Sequence, residues 1–266
     1  MDPMQATILA LIQGLTEFLP ISSSGHLILP QTLLGWQDQG LAFDVAVHIG
    51  SLVAVLSYFR RDVLNLLSGW SSSVIQRREA GESRLAWLVI LATIPAVLSG
   101  LLFNDVIEQH FRSAAVLATT TLVFGLLLGL GDYTRRENRR LADIGIGIAL
   151  LIGLAQAIAL VPGTSRSGIT ITAALLLGLG RADAARFSFL LSMPIIAAAG
   201  CYKLLELLQS SAPVEWGNLA LGFAVSALSA YLCITAFMQW IERVGMMHFV
   251  IYRIVLAAVI VMVAMP

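Results

Sequence analysis

Long apolar runs separated by short polar clusters dominate the chain. Uninterrupted runs lie at about 41–59, 85–103, 114–131, 187–202, 217–240 and 249–265. A helix needs roughly 20 residues to cross the hydrocarbon of a bilayer. The pattern therefore predicts six transmembrane helices, the fourth only just long enough. Two other regions differ. Residues 4–19 and 25–35 are short apolar pieces on either side of Pro20-Ile21-Ser22-Ser23-Ser24. Residues 144–160 and 168–179 flank Pro162-Gly163-Thr164-Ser165-Arg166-Ser167 in the same way. Lipid supplies no hydrogen-bond partner, so broken backbone at depth survives only where protein or trapped water surrounds it. The pattern predicts two re-entrant helical hairpins that turn near mid-depth. A pair of full crossings in each region is the alternative, and it leaves the sidedness of everything else unchanged.

The chain also repeats itself. An offset of 143 places Gln13 on Gln156, Ser22 on Ser165, Ser24 on Ser167 and Gly25 on Gly168, and it lays run 41–59 over 184–202. The expected fold class is an all-α polytopic membrane protein. Residues 1–266 would form one integral membrane domain, an inverted repeat with halves of about 1–140 and 141–266. Such repeats carry their special site where the halves meet.

Composition agrees with a membrane protein. Hydrophobic residues make up 58% of the 266 and charged residues 12%, with mean hydropathy +0.86. Soluble domains run about 25% charged. The formal net charge of zero argues against a nucleic-acid partner. Met1-Asp2-Pro3-Met4 has no basic n-region, so no cleaved signal peptide is expected. Cys201 and Cys233 fall near opposite membrane faces in this topology and are expected to be free thiols.

Loop charges set an orientation. Arg60, Arg61, Arg77, Arg78 and Arg84 lie in one loop, and Arg135, Arg136, Arg139 and Arg140 in another. Arg181, Arg186 and Arg243 fall on the same side by parity. The opposite side has only Arg112 and Lys203, beside Asp105, Glu108, Glu206 and Glu215. The positive-inside rule makes the first set cytoplasmic and puts both chain ends outside.

The two breaks carry the chemistry. Gln13 and Glu17 are four apart and share a helix face, and Pro20 stops that helix. Ser22, Ser23 and Ser24 precede Gly25 and a new helix, whose first N–H groups and positive dipole end suit an anion. Helix capping alone would need fewer hydroxyls. A carboxylate among apolar helices costs on the order of 2–4 kcal/mol. Glu17 therefore pairs with Arg166 merely to be tolerated, or it acts as a base, an orienter of His26 or a metal ligand. His26 shares its segment with three serines, which points to acid–base work. His48 instead is expected to pair with Asp44 at i,i+4. In the second break, Arg166 sits between Ser165 and Ser167, ahead of Gly168. A guanidinium with hydroxyls at a helix start makes a phosphate cradle; the competing reading is an arginine that snorkels to the interface. Together the breaks suit phosphoryl transfer. Arg166 and the helix ends would hold the phosphate while Ser23 attacks phosphorus, or water attacks with Glu17 or His26 as base.

Gln13-Gly-Leu-Thr-Glu17-Phe-Leu-Pro-Ile-Ser-Ser-Ser-Gly-His26 resembles the first signature of the undecaprenyl-diphosphate phosphatases, the bacitracin-resistance proteins. Pro162-Gly-Thr-Ser-Arg-Ser-Gly-Ile-Thr170 resembles their second, and Arg186-Phe-Ser-Phe-Leu190 followed by Pro194 also fits. The resemblance covers nearly the whole chain. It implies an enzyme of the bacterial inner membrane that hydrolyses undecaprenyl diphosphate to the monophosphate and so recycles the carrier for peptidoglycan synthesis. It implies a catalytic set of Ser23, Glu17, His26 and Arg166. Substrate contacts would come from Gln13, Ser22, Ser24, Gly25, Ser165, Ser167, Gly168 and Thr170. It also implies help from Mg2+ or Ca2+, with Glu17 as a ligand. Gln13 stands where many members carry Glu, which speaks against a metal site needing two carboxylates. A polyprenyl diphosphate lipid, the membrane and a second copy of the chain are the expected partners. The cavity is expected to open to the outer face. A transporter or flippase of a lipid phosphate is the rival class, since broken helices in inverted repeats also build transporters; it would have no need of a nucleophile at Ser23.

Overall fold

The computed structural model describes residues 2–37, 40–209 and 215–264. The end of the last predicted run, residue 265, and the side chain of Glu108 lie outside what is described. Among the described residues the chain is helical throughout. In chain order the helices are α1 (Pro3–Thr16), α2 (Ser23–Leu34), α3 (Gly40–Tyr58), α4 (Arg60–Gln76), α5 (Ser83–His110) and α6 (Ala114–Thr134). They continue with α7 (Ile146–Ile158), α8 (Arg166–Leu176), α9 (Arg181–Gln209), α10 (Trp216–Val244) and α11 (Met247–Ala264). Six of them, α3, α5, α6, α9, α10 and α11, are long and apolar enough to cross a membrane. These are the six predicted runs. The fourth, expected to be marginal, is 29 residues long because it starts at Arg181, well before the apolar run itself.

One predicted loop is a helix. Residues 60–76, read as a basic loop, form α4. Its apolar residues recur at helical spacing: Val63 and Leu66 pack on the main core, and Trp70 lies 6.2 Å from Trp87 of α5 between ring centroids. A charged stretch with one apolar stripe lies along a surface rather than crossing a bilayer.

α1, α2, α7 and α8 are short, between 11 and 14 residues. At 1.5 Å per residue that is about 17–21 Å, less than the hydrocarbon thickness of about 30 Å. α1 lies along α10 and α7 along α5, while α11 runs beside α6. The α7–α5 crossing is close because Gly153 faces the Ala92 carbonyl, where a Cβ would come within 2.3 Å; small residues allow such approach in membrane bundles. Phe189 of α9 is the hub of the core. Its ring meets Phe18 at 5.5 Å, Phe59 at 6.2 Å and Phe237 at 5.6 Å. Phe18 belongs to the first break, so the main core anchors that break directly. On the outside, Leu101, Leu102, Leu126, Leu232 and Val255 are exposed, as helices facing lipid require.

Candidate functional site

Both breaks are built alike. α1 ends at Thr16, and Pro20, which has no N–H, ends the turn that follows. Ser22 then caps α2: its Oγ accepts from the Gly25 N–H at 3.4 Å, with φ 73° and ψ 99°. Ser165 caps α8 in the same manner, accepting from the Gly168 N–H at 3.2 Å with φ 68° and ψ 111°. A positive φ at a non-glycine residue carries about 1–3 kcal/mol of strain, which the surroundings must hold. Both caps also meet a second hydroxyl, Ser24 at 3.1 Å and Ser167 at 3.3 Å. Capping thus accounts for Ser22 and Ser165. It does not account for Ser23 or Arg166, the first residues of α2 and α8.

The breaks touch. The Gly163 N–H donates to Ser24 Oγ at 3.1 Å, and Ser167 Oγ donates to the Leu19 carbonyl at 2.9 Å. Between them lies Glu17. One carboxylate oxygen accepts from Arg166 Nη2 at 3.1 Å; the other accepts from Ser23 Oγ at 3.1 Å and Gln13 Nε2 at 3.0 Å. Arg166 also reaches the Ser188 carbonyl at 3.4 Å and stands 5.6 Å over the Phe18 ring. The Glu17 and Arg166 side chains are 11% and 12% exposed. Arg166 is turned inward and does not snorkel. A cavity of about 230 Å3 opens at this point, lined by Glu17, Ser22, Ser23, Ser24, Ser165 and Arg166, with the 159–163 turn as its far wall. The starts of α2 and α8 both face it, each with first-turn N–H groups that have no acceptor within the helix.

Other expected residues stand back from the cavity. Gly25 and Gly168 lie one turn behind the caps, where their N–H groups are taken by Ser22 and Ser165. Thr170 is buried and bonded to the Arg166 carbonyl at 2.8 Å and Ser188 Oγ at 2.7 Å. It braces the first turn of α8. His26 meets neither Glu17 nor Ser23 through its ring nitrogens. Nδ1 pairs with the Ser22 carbonyl at 2.7 Å and Nε2 with the Tyr252 hydroxyl at 2.6 Å, and the two rings stack at 5.5 Å. His48 does pair four residues back, but with the Asp44 backbone carbonyl at 2.7 Å; the Asp44 carboxylate turns to Lys203 at 3.7 Å. A backbone carbonyl one helical turn away is nearer than a carboxylate that points outward. Cys201 and Cys233 are both free, as expected.

Arg253 has no counterpart in the sequence reading. It is fully buried on α11, and its guanidinium donates to five carbonyls. Nε holds Thr121 at 2.9 Å. Nη1 holds Thr164 at 3.0 Å and Pro20 at 3.4 Å, and Nη2 holds Gly163 at 2.9 Å and Thr120 at 3.4 Å. A lone arginine inside the final apolar run was the available signal, because an ionisable residue within a membrane segment marks function by default.

A divalent cation bound by protein alone does not fit: the described residues hold no group of three or more His, Cys, Asp or Glu. A cation shared with phosphate oxygens does fit. Gln13 Oε1 is buried without a partner beside the Glu17 carboxylate, and Mg2+ is commonly held by one carboxylate together with substrate phosphates.

Fold and site together define a polytopic helical membrane protein with a polar cavity made by two helix breaks that meet inside the bundle. The profile of the family described as "Bacitracin resistance protein BacA" matches residues 6–259. The chain is 59% identical over 260 residues to the undecaprenyl-diphosphatase of Teredinibacter turnerae, covering 98% of each chain. It is 59% identical over 258 residues to that of Saccharophagus degradans, covering 97% of each. It is 54% identical over 256 residues to undecaprenyl-diphosphatase 1 of Pseudoalteromonas translucida, covering 96% of each. This chain belongs to the bacitracin resistance protein family.

Proposed function

We propose that the protein hydrolyses undecaprenyl diphosphate to undecaprenyl phosphate and inorganic phosphate in the bacterial inner membrane. The activity carries over from the near-full-length likeness to the named diphosphatases. It recycles the lipid carrier for wall synthesis and lies behind bacitracin resistance.

One contact carries the mechanism: Ser23 Oγ donates to the Glu17 carboxylate whose other oxygen holds Arg166. The terminal phosphate occupies the cavity, held by Arg166 and the N–H groups that open α2 and α8. Ser23 Oγ gives its proton to Glu17 and bonds to the terminal phosphorus. The bond from that phosphorus to the bridging oxygen breaks, and undecaprenyl phosphate leaves with the electron pair and takes the proton from Glu17. Water, deprotonated by Glu17 once the carboxylate is free again, then displaces the serine oxygen. Inorganic phosphate departs and Ser23 recovers its proton. His26, with both ring nitrogens engaged, holds the start of α2 and Tyr252; the geometry supports Glu17 rather than His26 as the base for Ser23. Glu17 and Gln13 Oε1 are the groups that would hold a divalent cation, which would supply extra charge neutralisation.

The fold reading goes with this. The matched cap geometry at Ser22 and Ser165 and the parallel packing of α1 on α10 and α7 on α5 support an inverted repeat. The short lengths of α1, α2, α7 and α8 support two re-entrant hairpins. Under the positive-inside orientation the hairpin bearing Glu17, Ser23 and His26 enters from outside, so the cavity opens to the outer leaflet. The test is phosphate release from a polyprenyl diphosphate by purified wild type and Ser23→Ala in detergent. Loss of turnover in a folded Ser23→Ala is expected. Retained turnover would move the attack to water, and transport without hydrolysis in wild type would favour the transporter reading.

A further inference from the structure

The charge on Arg253 has no carboxylate partner. Among the described residues its guanidinium meets backbone carbonyls alone, inside a membrane helix. A buried cation left this way is expensive, and such groups are retained where function uses them. Its bonds are also placed with purpose. A single nitrogen, Nη1, ties Pro20 of the first break to Thr164 of the second. No peptide among the described residues is cis, so a carbonyl held by Arg253 aims the next N–H to the opposite side of the peptide plane. The Thr164 carbonyl is so held, and the N–H opposite it belongs to Ser165, which lines the cavity. Two glycines make room. A Cβ on Gly125 would lie 2.9 Å from Arg253 Cβ and 3.2 Å from Nε, and one on Gly168 would lie 2.9 Å from Nη1.

We propose that Arg253 is the positioning residue of the phosphate site: its fork clamps the backbone of both breaks in register, and its unbalanced charge adds to that of Arg166 in drawing an anion into the cavity. Because Glu17 neutralises Arg166, Arg253 leaves the empty site net positive. The proposal rests on the phosphatase reading, and the experiment separates the two. Full-length wild type, Arg253→Lys, Arg253→Gln and Gly125→Ala are purified in one detergent. On the folded, monodisperse fraction, kcat, KM and the competitive inhibition constant of inorganic diphosphate are measured. Arg253→Lys keeps the charge but cannot reach carbonyls on three segments. It should hold inhibitor affinity near wild type and lose kcat about 10- to 100-fold, the effect of a misplacement near 1 Å. Arg253→Gln should lose kcat and also bind diphosphate about 10-fold less tightly. Gly125→Ala, which displaces Arg253 without replacing it, should follow Arg253→Lys. Folded variants that melt earlier but turn over and bind diphosphate like wild type would reduce Arg253 to a structural brace and overturn the proposal. A wild type without hydrolysis would overturn the phosphatase reading instead.

A separate observation carries a second site. At the α4–α5 turn a cavity of about 570 Å3 is lined by Arg77, Arg78 and Arg84 against the single carboxylate Glu79. Its floor is apolar, formed by Trp87, Leu91 and Ile146. α5 and α7 both begin there, and neither Glu82 nor Gly145 caps its helix with a side chain. The cavity sits at one end of the α5 span beside the Trp70–Trp87 pair, and tryptophan is enriched at membrane–water interfaces. Basic heads above an apolar wall at that depth suit one occupant. We infer that this cavity binds an anionic glycerophospholipid, phosphate diester among the arginines and acyl chain along α5 and α7. Melting of the full-length protein in detergent is followed with added phosphatidylglycerol, phosphatidylcholine or inorganic phosphate. Phosphatidylglycerol alone should stabilise wild type. The Arg77→Ser/Arg78→Ser double variant and Ser73→Asp, which adds a carboxylate to the lining, should lose the response. Equal effects of the two lipids, a full response in both variants, or a shift reproduced by inorganic phosphate would sink the site.

Discussion

Glu17→Gln should separate binding from chemistry. The substitution keeps size and shape, but only one end of an amide accepts hydrogen bonds. If the amide oxygen faces Arg166, its nitrogen faces Ser23 and Gln13 Nε2; if it faces Ser23, its nitrogen faces Arg166. In the first arrangement Ser23 must become an acceptor and Gln13 must turn its Oε1 inward; in the second the new nitrogen meets Arg166 donor against donor, and either way the set at 3.0–3.1 Å is rearranged. Two consequences follow. Ser23 loses its base, an effect typically worth about 10^2- to 10^4-fold in rate. Arg166 loses a counter-charge. At about 4 Å and an effective dielectric constant near 20, that attraction is roughly 4 kcal/mol, part of it offset by desolvation. A phosphate entering the wild-type cavity must share Arg166 with Glu17, whereas in the variant it need not. We expect kcat to fall about 10^2-fold or more while inorganic diphosphate binds about 10-fold more tightly. The assay is turnover of a polyprenyl diphosphate together with competition by inorganic diphosphate, on protein shown to be folded by its melting curve. A variant that turns over near the wild-type rate would refute Glu17 as base. A variant that binds diphosphate more weakly would refute the idea that Glu17 and phosphate compete for one guanidinium.

Arg166→Lys keeps the charge and should still lose about 10-fold or more in kcat/KM, since an ammonium cannot hold two phosphate oxygens in a planar fork; steady-state kinetics near wild type would mean that Arg166 supplies only a field. Asp132→Asn should cost about 3 kcal/mol of stability, because Asp132 is buried and takes Arg181 at 2.6 and 2.8 Å and the Met246 N–H at 3.2 Å. It sits about 18 Å along α6 from Thr120, so the kcat of the folded fraction should stay unchanged, and a kinetic loss would show coupling that this geometry lacks. Ser24→Cys, with Cys201 and Cys233 replaced, should react with an impermeant thiol reagent added outside intact cells, since Ser24 is the exposed serine of the cavity. Labelling confined to inverted vesicles would reverse the orientation.

Much of this was legible in the chain because lipid leaves few options. Apolar runs of crossing length become helices, and a polar break inside them must find protein partners, which singled out Glu17, Ser23 and Arg166. What stayed hidden depended on partners far away in the chain. Arg253 looks like one basic residue beside Tyr252 in a terminal apolar run; only the fold sets five carbonyls around it. The pairing of His26 with Tyr252 spans 226 residues, and nothing near His26 announces it. The resemblance implies a substrate contact at Thr170, but one helical turn from Arg166 carries it away from the cavity lining, against Ser188. α4 has a weaker pattern for a different reason: its apolar stripe is only a few residues wide, two arginines open it and three more follow just beyond its end.

The offset of 143 has a chemical meaning at the cavity. Ser23 and Arg166 differ by that number, and each is the first residue of a helix whose cap has the same uncommon backbone. From these equivalent positions they approach the two oxygens of one carboxylate. Glu17 has no such counterpart, because Leu160 stands at the repeated position. Two identical polar breaks would have left like groups facing each other across the bundle, with nothing to balance them and no direction for proton transfer. On the proposed mechanism, divergence at these two positions replaces that with a nucleophile and its base on one break and an anion clamp on the other. On this reading the repeat supplies the scaffold, two helix starts aimed at one point. The asymmetry between Ser23 and Arg166 turns an anion site into a place where a phosphoryl group can be moved.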